Sequence, residues 1–241
     1  MSQYLYQLDN ELLTFPPHHC ALEDPNGLLA MGGDLSPQRL VSAYTHGTFP
    51  WFSDGDPILW WSPTPRAIID TANVTINRTL RKFLKKTSYT VHVNRDFARV
   101  IDLCSDAPFR SEDTWIVDDM KSAYISLHQQ GFAHSVEVYD QDTLIGGLYG
   151  VAINGYFSGE SMFYLKDNAS KIALLCLANL LDLNGIGFID CQIQNPFLES
   201  MGAFEISRDI FLAMQNNAKQ TELPINIWQP REITELMINK Y

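Results

Sequence analysis

Positive charge is scarce in this chain. Seventeen Lys and Arg stand against 28 Asp and Glu, a formal net charge of −11 over 241 residues. A uniformly acidic surface repels nucleic acid, so any polyanionic partner requires a local basic patch. Cysteine is also sparse: Cys20, Cys104, Cys176 and Cys191 lie far apart and form no Cys-x-x-Cys pair. That argues against a disulfide framework or a zinc site and for reduced thiols. The six histidines show no ligand spacing, so no metal is implied. No apolar run is long enough to span a bilayer; the longest, Ile172 to Leu181, is interrupted by Asn179. Residues 1–13 lack the basic start and continuous apolar stretch of a secretory signal, and the expected location is the cytoplasm. What is present, 46% apolar and 19% charged residues without repeats or low-complexity stretches, suits a folded protein with a sizeable core.

Residues 1–62 are dense in aromatic residues, Gly and Pro and read as a small N-terminal domain. Ser36-Pro37 opens a helix, with Ser as N-cap and Pro at the first helical position, and Gly47 closes it. Three of the five tryptophans lie between Trp51 and Trp61. Trp60 and Trp61 fit a small core. Trp51 follows a Pro in a loop between turn signals, where an indole face is available to a ligand. Ser62-Pro63-Thr64-Pro65 reads as a stiff link to a second domain, residues 63–241.

From Thr75 to Arg99 the balance of charge reverses. Arg78, Arg81, Lys82, Lys85, Lys86, Arg95 and Arg99 supply seven of the 17 basic residues in 25 positions. The first five fall on one face of a helix, opposite Leu80 and Leu84. A solvated helix face is the ordinary explanation. In a chain this acidic, the concentration points instead to a polyanion, without distinguishing RNA from phosphate or membrane.

The rest reads as an amphipathic helix from about Asp118 to Gln130, three strands joined by Asp140-Gln141-Asp142 and Asn154-Gly155, and an apolar helix from Ser170 to Leu183. A short buried strand, Phe188 to Gln192, follows. This order describes an α+β fold of the acetyltransferase-like (GNAT-like) kind. The Arg/Gln-x-x-Gly-x-Gly/Ala loop that holds the pyrophosphate of coenzyme A is missing, so acyl transfer from another donor is expected. On the strand, Phe188, Asp190 and Gln192 share one face and Ile189, Cys191 and Ile193 the other. Alternation therefore presents a carboxylate and an amide together, facing out from an apolar strand.

Several motifs resemble one family. Asp24-Pro25-Asn26-Gly27-Leu28-Leu29-Ala30-x-Gly32-Gly33-Asp34-Leu35-Ser36-Pro37, Phe49-Pro50-Trp51-Phe52, Leu59-Trp60-Trp61-Ser62-Pro63, Gly159-Glu160-Ser161-Met162-Phe163, Asn168-Ala169-Ser170-Lys171 and Ile189-Asp190-Cys191-Gln192 are similar, in order, to leucyl/phenylalanyl-tRNA–protein transferases. The resemblance runs from about Phe15 to Trp228. It implies a bacterial cytoplasmic enzyme without a cofactor. Such an enzyme moves Leu or Phe, with Met a further candidate, from aminoacyl-tRNA to the α-amino group of proteins beginning with Arg or Lys, marking them for N-end rule degradation.

By the same resemblance Asp190 and Gln192 are catalytic, Asp190 either as general base or as an orienting group, and Glu160 meets the acceptor's basic side chain. Leu148, Phe157, Met162, Leu174, Leu177, Leu181 and Ile189 surround the aminoacyl side chain. Trp51 and Trp115 stack on the terminal adenine. Arg81, Lys82, Lys85 and Lys86 follow the tRNA backbone. For Phe157 and Glu160 to share the site, alternation must break, so a β-bulge is expected near Gly159. An acetyl-CoA enzyme of the same fold and a non-catalytic tRNA-binding module are the rival readings.

Overall fold

The computed structural model describes residues 4–106 and 116–237. Its architecture is mixed α and β, with two sheets. The smaller has the order β1-β2-β4-β3 and is made of β1 (Tyr6–Leu8), β2 (Leu28–Gly32), β3 (Phe49–Pro50) and β4 (Leu59–Trp61). Helix α1 (Pro37–His46) joins β2 to β3, and its ends are as the sequence predicts. Ser36 Oγ accepts from the Arg39 amide, Pro37 occupies the first turn, and Gly47 closes the helix at φ 88°.

The larger sheet contains β5 (Arg66–Asp70), β6 (Thr90–Val93), β7 (Ala133–Asp140), β8 (Thr143–Ile153), β9 (Tyr156–Tyr164), β10 (Phe188–Gln192), β11 (Phe204–Ile206) and β12 (Arg231–Glu232). Their order is β11-β5-β10-β9-β8-β7-β6-β12. Among the described residues, every neighbouring pair in this sheet is antiparallel except β9 and β10, which run parallel. Helices α2 (Arg78–Leu84), α3 (Phe97–Ser105), α4 (Asp118–Gln129), α5 (Ala169–Leu183), α6 (Pro196–Ser200) and α7 (Arg208–Ala218) complete the fold. The hairpins and the long helices sit where the sequence reading expects them. Strands β5 and β6 and helix α3 were not anticipated.

Both faces of the large sheet are covered. Leu80 and Leu84 of α2 and Ile172, Leu175 and Leu180 of α5 pack with Val91, Val136 and Ile145 on one face. Tyr44, Trp60, Val100, Met120, Tyr124 and Phe211 pack with Tyr149, Tyr156 and Phe163 on the other, a core to which both sheets contribute. Strand β7 is therefore buried along almost its whole length rather than at alternate residues. Helix α5 is apolar all round and nearly all buried. It starts hard against β8: a Cβ added at Gly146 would lie 2.4 Å from the Ala169 Cβ.

Two irregularities shape the site. Strands β9 and β10 register only through Ser158 and Asp190, and beyond that pair they part to leave a wedge. Opposite β8, Gly159 pairs with Gly150 and Ser161 with Tyr149, which leaves Glu160 as an extra residue. The bulge expected near Gly159 is thus at Glu160. A second register shift, between Asp190 and Gln192, leaves Cys191 without a partner on β5, and Gln192 takes φ 64°.

Candidate active site

The wedge between β9 and β10 is a cavity of about 640 Å³. Leu174 and Leu177 on α5, Leu148 on β8, Met162 on β9 and Ile189 on β10 make it apolar. Glu160, Ser161, Gln192, Gln194 and Asn195 add polar groups, and Phe49, Pro50 and Trp51 of the small sheet form one wall. Trp51 is 42% exposed there, with Trp61 Nε1 donating to its carbonyl at 2.7 Å. Trp115, its expected partner, lies outside the described residues.

The bulge decides which β9 side chains enter the wedge. Without it, Met162 would share the Glu160 face. With it, Met162 packs with the α5 core and Phe163 with the opposite one. Phe157 keeps the face that plain alternation assigns, and the bulge does not bring it beside Glu160. It packs behind the cavity, 5.5 Å from the Trp228 ring. Leu181, one helical turn beyond Leu177, is likewise fully buried and forms part of the supporting layer. Neither Phe157 nor Leu181 lines the cavity. Leu148, Met162, Leu174, Leu177 and Ile189 do.

Asp190 does not face outward, as strand alternation suggested. It is wholly buried behind the cavity, because the face it points to is covered by α7 and the small sheet. Arg66, at the start of β5, donates to it through Nε at 2.8 Å and Nη2 at 2.7 Å. The Tyr156 hydroxyl donates at 2.6 Å and the Gln192 amide at 3.0 Å. The Arg66 guanidinium is held between the rings of Phe49 (4.8 Å) and Phe211 (4.4 Å). Burial by itself would make Arg66 easier to deprotonate, but the Asp190 carboxylate outweighs that and raises it. A carboxylate with a bidentate guanidinium, a phenol and a backbone amide on it has no free lone pair directed at the cavity.

Glu160 is the carboxylate that faces the wedge. Its Oε1 accepts from Gln192 Nε2 at 2.7 Å and its Oε2 from the Tyr124 hydroxyl at 3.0 Å. Ser158 has one proton to give, to Glu160 Oε1 at 3.2 Å or to Asp190 Oδ2 at 3.4 Å, and so ties the two carboxylates together. Glu160 is raised to about 7: desolvation and the Asp190 charge push it up, against the Tyr44, Tyr124 and Ser158 hydroxyls that pull it down. The structure thus brings Asp190, Gln192 and Glu160 into one hydrogen-bonded group. It adds Arg66, Tyr44, Tyr124, Tyr156 and Ser158, which the sequence reading did not single out. The signal for Arg66 was present: a charge that directly precedes the apolar run Ala67-Ile68-Ile69 must find a buried partner.

Arg81 and Lys82 lie exposed on α2, and Lys85 and Lys86 exposed in the turn after it, with Leu80 and Leu84 facing the core. None of the four lines the cavity.

Two family models match the chain. "Leucyl/phenylalanyl-tRNA protein transferase" covers residues 68–216, and the N-terminal domain of the same family covers residues 33–64. Leucyl/phenylalanyl-tRNA–protein transferase of Colwellia psychrerythraea is 58% identical over 97% of this chain and 99% of its own length. The enzymes of that name from Pseudoalteromonas atlantica (52% identity, 96% of this chain, 98% of the relative) and Shewanella piezotolerans (49%, 95% and 97%) are similar along the same span. With identity at this level over nearly the full length, the chain belongs to the leucyl/phenylalanyl-tRNA–protein transferase family.

Proposed function

We propose that the protein moves Leu or Phe from aminoacyl-tRNA to the α-amino group of cytoplasmic proteins that begin with Arg or Lys, marking them for N-end rule degradation. The observation that carries this reading is an apolar wedge whose rim, among the described residues, holds one carboxylate with neutral hydrogen-bond donors only and one exposed indole. The aminoacyl side chain fills the wedge against Leu174, Leu177 and Met162. Trp51, with Trp115 as partner, holds the terminal adenine. Glu160 takes the guanidinium or ammonium of the acceptor's first residue.

In the reaction the acceptor α-nitrogen attacks the ester carbonyl carbon. The bond from that carbon to the adenosine ribose oxygen breaks, the amine gives up one proton, and the ribose hydroxyl leaves with one. The free amine has a pKa of about 8, so neutral nucleophile is plentiful near neutrality. Orientation is then the main requirement. Asp190 fits an orienting role better than that of a general base, since its oxygens are occupied and shut away from the cavity. It fixes the Gln192 backbone, and Gln192 presents its amide to the reacting groups. The large sheet, with β9 and β10 parallel and parted around the acyl site, suits the acetyltransferase-like arrangement of residues 63–241, with residues 1–62 as a smaller domain that supplies the adenine wall.

Incubation of the protein with Leu-tRNA and an Arg-initiated peptide should yield the Leu-extended peptide. Glu160→Gln should raise the peptide KM at least tenfold with little change in tRNA affinity. Absence of transfer by a folded, tRNA-binding protein would refute the reading. Arg81, Lys82, Lys85 and Lys86 are proposed to track the tRNA backbone. Replacing Lys82, Lys85 and Lys86 by Ala should then lower the slope of log affinity against log salt by about 2–3. An unchanged slope in filter-binding titrations assigns the patch to another role.

A further inference from the structure

We infer that Tyr44 and Tyr124 are the positioning residues for Glu160, and that they favour its charged form for the acceptor's cation. The inference rests on the reading of Glu160 as the acceptor-binding carboxylate and adds how that carboxylate is kept ready. Both tyrosines are fully buried, Tyr44 on α1 and Tyr124 on α4, and their hydroxyls bond to each other. Counting donors gives the direction of the chain. Two phenols own two protons and share one bond, so one proton remains, and Tyr124 directs it at Glu160 Oε2 at 3.0 Å. Tyr44 then donates to Tyr124, every proton is used, and the line ends on the carboxylate. The Tyr44 hydroxyl also acts on Glu160 directly, so both phenols favour the charged form of that carboxyl.

Among the described residues the group carries no cation of its own. Arg66 is already bound to Asp190 through two nitrogens. Gln192 and Ser158 reach Glu160 as neutral donors. Among the described residues, the charged and titratable groups acting on Glu160 are Tyr44 from α1, Tyr124 from α4, Asp190 from β10 and Arg66 from β5, and Tyr149 from β8 lines the same cavity. Taken together they leave the carboxyl on the edge of ionisation near neutral pH. The phenol pair tilts it toward the charged form, and the incoming guanidinium or ammonium completes the tilt. Binding of the acceptor is thereby coupled to loss of the Glu160 proton.

The test is the peptide KM of the intact enzyme, with saturating Leu-tRNA, from pH 6 to pH 8.5 for wild type, Tyr124→Phe, Tyr44→Phe and Glu160→Gln. Wild-type KM should fall as pH rises through about 7. Removing the Tyr124 hydroxyl deletes a charge-assisted bond and should raise that midpoint by about one pH unit, so that KM at pH 7 rises about fivefold and recovers toward pH 8.5. Turnover at saturating peptide should change much less. Tyr44→Phe removes the other hydroxyl that favours the charged form and should raise the midpoint by at least as much. The titration of the peptide's own amine is common to all four proteins and cancels in the comparison. If Glu160→Gln leaves KM unchanged, the acceptor reading of Glu160 fails. If Glu160→Gln raises KM but Tyr124→Phe moves neither the midpoint nor KM, the phenol pair is structural and the inference is overturned. Should Tyr124→Phe fail to fold by circular dichroism, Tyr44→Phe decides by the same midpoint.

Discussion

Arg66→Met should lower the stability of the protein by about 3–5 kcal/mol, a large share of the roughly 5–15 kcal/mol that holds a domain together. The arithmetic is one-sided. In the native protein a fully buried guanidinium and a fully buried carboxylate meet through two bonds of 2.7–2.8 Å. Deleting the cation leaves the anion in a medium that solvates it poorly, with Tyr156 and the Gln192 amide as its remaining strong donors. The second substitution is the informative one. Asp190→Asn, damaging by itself because it strands Arg66, should restore about 2 kcal/mol or more when added to Arg66→Met, since an amide oxygen still accepts from Tyr156 without carrying charge. Urea unfolding of the four proteins measures that coupling. If Asp190→Asn does equal harm in both backgrounds, the pair is not the energetic unit described. Both single variants should also transfer poorly, through misplaced Gln192 rather than through a lost base.

Gly150→Ala should cut kcat/KM by about a hundredfold, although residue 150 does not line the cavity. A Cβ there would sit 2.3 Å from the Ser158 carbonyl and 2.6 Å from the Phe157 ring. Ordinary carbon contacts are about 3.5–4 Å, so β8 and β9 must part by about 1 Å. The displaced stretch is the one that holds Ser158 against Asp190 and turns into the bulge at Glu160. Overpacking of this kind also costs about 1–3 kcal/mol. Gly187→Ala is the control: nothing lies within 4 Å of its Cβ position, and its φ is one that other residues adopt. That variant should be near wild type in rate and in unfolding midpoint. Equal losses for the two would mean that the glycines matter for chain flexibility rather than for room.

The elements legible in the sequence are those with length and punctuation. Strands β7 to β9 are bounded by Asp140-Gln141-Asp142 and Asn154-Gly155, and α5 runs for fifteen apolar-rich residues. Strand β5 escaped because five residues between a Pro-rich link and Thr71 carry too little periodicity to distinguish strand from loop. Its loss hid the partner of Asp190. The orientation of Asp190 was misread for a related reason. Alternation assigns residues to faces but does not say whether a face is open, and here both faces of the sheet are covered. Glu160 was found through motif resemblance, and Gln192 first through its place beside Asp190 on one strand face. The tyrosines that serve Glu160 stand 80 positions apart in the chain and meet only through the packing of α1 on α4, so no local pattern could have revealed them.

The division of labour between the two sheets bears on inheritance. The wall beside the wedge, the ring under Arg66 and the far end of the phenol line are Trp51, Phe49 and Tyr44, all ahead of residue 64. Their counterparts, Tyr124, Glu160 and Asp190, come after residue 68. The two family segments, matched at 33–64 and 68–216, are therefore poor units of exchange. A chimera spliced between them from distant relatives would cut through each of these contacts, and substitutions on one side of the seam would need answering changes on the other. The halves are bound to travel through descent as a single heritable piece.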